Sequence, residues 1–315
     1  MDTHPCPRCE SPLYDSDLRC PVCALPCPPP AEAREGVKAT IVRCGSCHAA
    51  VAYDVEVQAP RCAFCGSVTA LEEREDPPEQ PDGWLPFRVD DVRARAALTR
   101  WLSKNGFFRP NDLSRVATFD SLKPLWWVGW AFDAEALVSW SADSDAGHGR
   151  ADWAPHAGQR SLQLDDIVVS ASRGLDEREV AALARAYDLS SAEAEAHPMP
   201  GVVKETFDLS RSGARAVVAR AIDSVAADHA SSWVPGSRQR NLHVVAKISR
   251  LLTRRFAFPA HVLAYRYKDE LYRVIVHGQD DAVVIGKKPV SWVKIVLVGL
   301  AVLGAAFLAF HLLSG

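Results

Sequence analysis

Eight cysteines stand in four Cys-x-x-Cys pairs within the first 65 residues: Cys6/Cys9, Cys20/Cys23, Cys44/Cys47 and Cys62/Cys65. Two thiolates three residues apart fit on one tight turn. Two such turns supply four sulfurs at the corners of a tetrahedron, which is the arrangement of a structural metal site. The spacings Cys6-x2-Cys9-x10-Cys20-x2-Cys23 and Cys44-x2-Cys47-x14-Cys62-x2-Cys65 therefore read as two successive ribbons, each with room for a short hairpin between its turns. Zinc, Zn2+, is the expected ion at both sites, and iron stays open because all-sulfur sites hold either. Segments this small bury little apolar surface, so the metal must supply much of their folding energy. Four protein ligands per site leave no position for water, so the chemistry expected is structural rather than catalytic. Glu10 occupies the place after the first pair where glycine is usual, while Cys27 reads as a spectator thiol and His48 as a surface side chain.

No second constellation carries chemistry as clearly. A phosphate-cradling glycine loop is absent. Asp165 and Asp166 are adjacent, and His148, His156 and His197 follow or precede them at spacings that define neither a metal site nor a triad. Loop or turn roles are expected for all of them, and no catalytic residue is assigned. The chain of 315 residues has a net charge of −3, which offers no general attraction for nucleic acid. The ribbon region, residues 1–75, carries 7 Lys/Arg against 11 Asp/Glu, whereas residues 204–255 carry 10 against 4. That basic stretch, with Arg238, Arg240, Lys247, Arg250, Arg254 and Arg255, reads as a solvated helix face or as a footprint on anionic lipid or nucleic acid. No secretory leader is evident, which together with paired cysteines favours thiolates in a reducing compartment.

The elements that must position these residues follow from periodicity and punctuation. Proline-rich polar linkers at 26–36 and 72–83 separate a first ribbon (1–28), a second ribbon (40–72) and a mixed α+β cytoplasmic domain (84–286). Ala49–Val57 alternates as a strand. Helices are expected from Asp90 or Asp91 to before Gly106, over Val180–Tyr187 behind the capping box Asp176-x-x-Glu179, over Ser212–His229 and over Leu242–Phe256. Strands are expected at Leu125–Trp140, Ile167–Ser170, Val262–Tyr267, Leu271–His277 and Ala282–Ile285, with Lys268-Asp269-Glu270 as a hairpin turn. Pro124-x2-Trp127-x2-Trp130 and Pro259-x2-Val262-x2-Tyr265 echo one another weakly. Ile295–Leu313 is an apolar run preceded by Lys287, Lys288 and Lys294; with Trp292 and Val293 added, the expectation is one C-terminal transmembrane helix over 292–313 in the lipid bilayer. This implies a tail-anchored, single-pass protein of the inner (cytoplasmic) membrane with its N-terminus in the cytoplasm. The row Ala301, Ala305, Ala309 allows helix–helix packing and hence a homo-oligomer.

Several stretches taken in order resemble a bacterial family of membrane-anchored zinc-ribbon proteins of unassigned activity. They are Cys44-Gly45-Ser46-Cys47 with Cys62-Ala63-Phe64-Cys65-Gly66-Ser67, Leu85-Pro86-Phe87-Arg88-Val89, Trp101-Leu102, Pro124-Leu125-Trp126-Trp127 with Trp130-Ala131-Phe132-Asp133-Ala134, Asp165 to Ser172, and Tyr272 to Gln279 leading to Ile285–Trp292. Some members carry the label of TFIIB-type zinc ribbons or of primosomal protein N′-like proteins; the helicase motifs are missing here. The resemblance spans most of Cys44–Ile295, and the set Cys6–Cys23 is an addition to it. It implies a scaffold beside membrane-stress proteins. The reading that results is a non-enzymatic, membrane-tethered zinc-ribbon adaptor for a cytoplasmic or membrane protein. The alternatives are a nucleic-acid-binding ribbon protein, for which the acidic ribbon region is ill suited, and a hydrolase in the central domain.

Overall fold

The computed structural model describes residues 3–14, 17, 19–23, 25, 39–52, 61–74, 79–103, 110, 122–146, 153–171, 173–197, 200–267, 270–287, 289–291 and 294–304. Three long antiparallel strands dominate it: β7 (Lys123–Ser144), β8 (Ala154–Ser170) and β10 (Gln239–Tyr267). With β11 (Glu270–His277) and β12 (Val284–Gly286) they run in the order β12-β11-β10-β7-β8. The short β6 (Gly83–Trp84) and β9 (Val203–Lys204) join in parallel to β10 and β7. Register shifts at Phe132/Ala134, Arg240/His243 and Ile248/Arg250 mark bulges, which increase local twist and let strands this long bend.

Register fixes which side chains share a face. Leu125, Trp127 and Ala131 face the same side as Phe258, Ala260, Val262 and Ile275, where the helix α2 (Glu177–Ala184) packs through Val180 and Leu183. On the opposite face, α1 (Asp91–Ser103) covers Leu263, Val274 and Val276. The same face carries α3 (Arg211–Trp233), whose buried row Ala214, Val218, Ile222, Ala226 and Ala230 repeats every four residues and lies over Val128, Trp130, Phe132 and Val138. The expected capping box forms, Asp176 and Glu179 bonding reciprocally, and Ser210, not singled out in the sequence, caps α3 by accepting from Gly213 N at 3.2 Å. Gly278 has no alternative residue, because a Cβ there would stand 2.4 Å from the Pro259 carbonyl oxygen.

Two expectations are corrected. The α+β description gives way to a mostly β structure: among the described residues, 43% are in strands against 25% in helices. The segment expected to be a helix at Leu242–Phe256 is the middle of β10. Its apolar residues also fit a helical stripe, yet Leu242, Val244, Ala246 and Ile248 are half-buried at alternate positions, with Asn241, His243, Val245 and Lys247 exposed between them. Period two won because β7 supplies a partner along the whole length.

The second correction concerns the membrane. No helix among the described residues is long and apolar enough to cross a bilayer. A span needs about 20 residues, and the described helical stretch is residues 294–304. Val296, Leu297, Leu300, Val302 and Leu303 on it are exposed. Residues 292–293 and 305–313 of the expected transmembrane helix lie outside the described residues. The tail-anchored, inner-membrane assignment with a cytoplasmic N-terminus, and contact with a lipid bilayer through 292–313, therefore have no support.

The basic stretch also reads differently once folded. Arg238 pairs with Asp145, Arg240 with Asp143, Arg250 with Glu135, and Arg254 with Asp133 and Asp166, all across strands or their connecting tip. The echoing segments at Pro124 and Pro259 lie antiparallel on adjacent strands, with Pro124 opposite His261 and Trp126 opposite Pro259.

Candidate metal centre

Each four-cysteine set converges. Cys6, Cys9, Cys20 and Cys23 form one group and Cys44, Cys47, Cys62 and Cys65 another, with the sulfurs of each group within 4.8 Å of one another. Contacts across the pairs follow one pattern. Cys6 to Cys23 is 3.6 Å and Cys9 to Cys20 is 3.5 Å; Cys44 to Cys65 is 3.4 Å and Cys47 to Cys62 is 3.6 Å. Zinc–sulfur bonds of about 2.3 Å at tetrahedral angles place sulfurs roughly 3.8 Å apart, so both donor sets fit a four-coordinate ion. All eight are free thiols rather than disulfides. Both groups could hold metal ions and are consistent with zinc ribbons; the sulfurs would be the whole ligand set.

The turns that present these sulfurs are built alike. The N–H of each leading cysteine donates to the carbonyl five residues on: Cys6 to Ser11 (2.8 Å), Cys20 to Leu25 (2.8 Å), Cys44 to Ala49 (3.0 Å) and Cys62 to Ser67 (2.8 Å). At the three turns whose next residue is described, that residue donates back to the leading carbonyl: Glu10 (2.9 Å), His48 (3.2 Å) and Gly66 (2.8 Å). The same residues lie in the left-handed region, which turns the chain back after the knuckle: φ is 58° at Glu10, 58° at His48 and 69° at Gly66. Glu10 and His48 thus stand where glycine is the unstrained choice. His48 is exposed and belongs to neither sulfur group; Cys27 lies outside the described residues.

The thiols are tuned unequally. A hydroxyl contact from Ser11 pulls Cys9 down to about 6, while burial pushes Cys20 up to about 12. In the second set burial raises Cys65, but hydrogen bonds from the Ser67 hydroxyl and backbone outweigh it and bring the thiol to about 7. A bound divalent cation would hold all four as thiolates and supply the charge that makes such crowding favourable.

The two ribbons attach to the sheet by different means. Ribbon 2 contains β3 (Ala39–Cys44), β4 (Ala50–Ala52) and β5 (Thr69–Arg74), paired in the order β4-β3-β5. Cys44, Ala49, Cys62, Ala63 and Phe64 belong to the same apolar cluster as Trp127, Phe258 and Tyr187. Phe64 is fully buried, against Gly174 and under the Arg273 guanidinium. Thr206 N donates to Ala50 O at 3.0 Å, and Arg43 binds both oxygens of Asp208 (3.0 and 3.1 Å) as well as Glu72.

Ribbon 1 contains β1 (Thr3–Pro5) paired with β2 (Pro12–Tyr14). Its apolar cluster, Cys6, Leu13 and Cys20 with Val22 and Leu25, includes no residue of the sheet domain. Polar contacts dock it instead. Tyr14 donates to Thr253 O at 2.7 Å on β10, Arg215 donates to Asp17 at 2.9 Å, and the Arg211 guanidinium lies 4.0 Å over the Tyr14 ring. Arg211 and Arg255 are also held by Glu79, and Arg255 by Asp82. A buried ion pair contributes little net stability, a neutral hydrogen bond about 0.5–1.5 kcal/mol, and a cation–π contact about 0.5–2 kcal/mol.

The remaining polar residues serve the fold. Asp166 sits at the bulge in β8 with φ 55°; its N–H donates to Asp133 at 2.9 Å and its carboxylate receives Arg254. His156 is in β8 and His197 pairs with Glu193 at 2.6 Å, while His148 lies outside the described residues. Among the described residues, no group of metal-binding side chains forms besides the two cysteine sets. Sequence reasoning passed over Tyr14, Asp17, Arg211 and Arg215 because their partners are about 200 positions away in the chain. Phe64 was legible in principle: a bulky aromatic inside a Cys-x-x-Cys turn needs a pocket. No protein-family model, no curated protein and no solved structure matches the chain.

Proposed function

We propose that this chain is a non-enzymatic adaptor in which two zinc-closed ribbons give a protein partner a rigid docking surface. The observation that carries the reading is closure: each site has four convergent sulfurs and so no ligand position for water or substrate. Zinc is preferred because it has no redox chemistry and accepts a tetrahedral all-thiolate set. Val68 and Leu71, exposed on and beside β5, supply the apolar part of a contact on ribbon 2. Cross-strand pairing of Arg238, Arg240, Arg250 and Arg254 weighs against nucleic acid, because phosphate binding needs cations not already held by carboxylates.

Two measurements test this. Elemental analysis of the purified chain is expected to give two zinc ions per molecule. In-cell crosslinking followed by mass spectrometry is expected to recover a reproducible protein neighbour that disappears in the Cys44→Ser, Cys47→Ser variant. A neighbour that persists after that site has lost its metal overturns the assignment of ribbon 2 as the docking surface.

A further inference from the structure

We infer that Arg211 and Arg215 of α3, with the Thr253 carbonyl on β10, form a receptor site for an acidic, aromatic peptide segment, and that ribbon 1 occupies it in cis through Tyr14 and Asp17. The contacts are of three recognisable kinds. A carboxylate meets guanidinium groups: Asp17 Oδ1 lies 2.9 Å from Arg215 Nη1 and 3.8 Å from Arg211 Nη1. An aromatic ring lies 4.0 Å beneath Arg211. Its hydroxyl donates at 2.7 Å to a strand carbonyl. Arg211, Arg215 and Asp17 are each at most 9% exposed, so the charge pairing takes place away from water.

The internal ligand fits the site incompletely. Asp17 holds Arg215 through one oxygen and one nitrogen, Arg215 Nη2 reaches only Thr253 Oγ1 at 3.5 Å, and Arg215 Nε is buried with no hydrogen-bond acceptor among the described residues. The second Asp17 oxygen is engaged within ribbon 1, where it accepts from Tyr14 N at 3.0 Å. A carboxylate free of that turn could bind the planar guanidinium through both oxygens, the stronger geometry. No described residue of ribbon 1 belongs to the apolar clusters of the sheet domain, so its hold rests on these polar contacts and on being tethered. A partner segment carrying Asp or Glu near Tyr would compete for the same groups, and its binding would release ribbon 1. The inference depends on the adaptor reading only for the identity of the outside competitor; the latch is measurable without a partner.

The test uses the full chain and a synthetic peptide of residues 11–18. In the Tyr14→Phe, Asp17→Asn variant, with two metal equivalents retained, deuterium uptake across 211–218 and 251–256 should rise while uptake in ribbon 2 stays unchanged. The labelled peptide should bind this variant about tenfold or more tighter than the unaltered chain, because the tethered competitor is weakened. Adding Arg215→Gln should abolish the binding. Unchanged uptake with both metals present overturns the latch. Absence of peptide binding to the uncapped variant, or equal binding with and without Arg215, overturns the receptor site. Either result leaves the crosslinking test of ribbon 2 to stand or fall alone.

Discussion

At the second position inside the last knuckle, ribbon 1 has Val22 and ribbon 2 has Phe64. Val22 stays half-buried within the ribbon's own cluster, whereas Phe64 is fully buried among residues of the sheet domain. The sulfur geometry of the two is the same within 0.2 Å for the contacts quoted. What differs is the surface each presents to the sheet: an aromatic side chain with its neighbouring cysteines and alanines in one case, a tyrosine hydroxyl and a carboxylate in the other. Sulfur geometry therefore makes the ribbons alike as modules, and side chains beside the cysteines decide whether a module belongs to the core. Ribbon 2 is continuous with the apolar interior; ribbon 1 is a docked unit.

The largest expected effect breaks the comparison if the two ribbons prove equivalent. Structural zinc contributes about 10–16 kcal/mol to isolated zinc-finger peptides. Cys44→Ser with Cys47→Ser should therefore unfold ribbon 2 and take several kcal/mol from the sheet domain, read as a lower urea midpoint of tryptophan fluorescence. Cys6→Ser with Cys9→Ser should leave that midpoint nearly in place, because the buried reporters Trp126, Trp127 and Trp130 lie in or beside clusters that contain no described ribbon 1 residue. Equal losses would show that the two attachments are energetically the same.

Next in size is the single side chain. Phe64→Ala should cost about 3–5 kcal/mol, the range for a buried aromatic truncated in a packed core. Equilibrium unfolding should show this with ribbon 2 still metal-loaded. A loss under 1 kcal/mol, on the scale of ordinary surface changes, would mean that Phe64 is not what joins the ribbon to the interior.

The smallest effect comes from pH. His277 is fully buried, 3.8 Å from Tyr187 in that same interior, and its Nδ1 accepts from Gln279 N and Asp280 N at 3.0 Å each. Burial lowers its imidazole to about 4. An unfolded histidine titrates near 6.5, so between these values the unfolded chain binds a proton that the folded chain refuses. Stability therefore falls as pH drops from about 6.5 to 4, by roughly 3 kcal/mol at the lower end. His277→Asn, which retains an acceptor for the two amides, should remove this part of the acid slope when urea midpoints at pH 7 and 4.5 are compared. Metal loss in acid affects both proteins alike, so an identical slope would exclude His277 as the source.

Much of the site was legible because its determinants are local. Each Cys-x-x-Cys turn is closed by bonds spanning four or five residues, the capping box at Asp176 by bonds spanning three, and β10 and β11 pair as neighbours in sequence, although the expected turn residues Lys268 and Asp269 lie outside the described residues. The helix expected at Leu242–Phe256 failed for the opposite reason. Val245, Ile248 and Leu252 satisfy a helical stripe, while Leu242, Val244, Ala246 and Ile248 satisfy alternation, and both patterns coexist in one run. Only pairing with Val138, Trp140 and their neighbours on β7 selects the strand. The arginines misled in a similar way. Their clustering in sequence suggests a basic face, but strand pairing sets Asp133, Glu135, Asp143 and Asp145 against them from more than 90 positions away.

The amino-acid sequence alone determined which eight sulfurs would gather and into which two sets, since thiolate spacing and turn geometry act over a few residues. Tertiary structure decided which ribbon joins the interior, which carboxylates hold the arginines and what Asp17 and Tyr14 touch. Burial and ion pairing depend on groups brought together by register across the whole sheet, and no short stretch of chain carries that information.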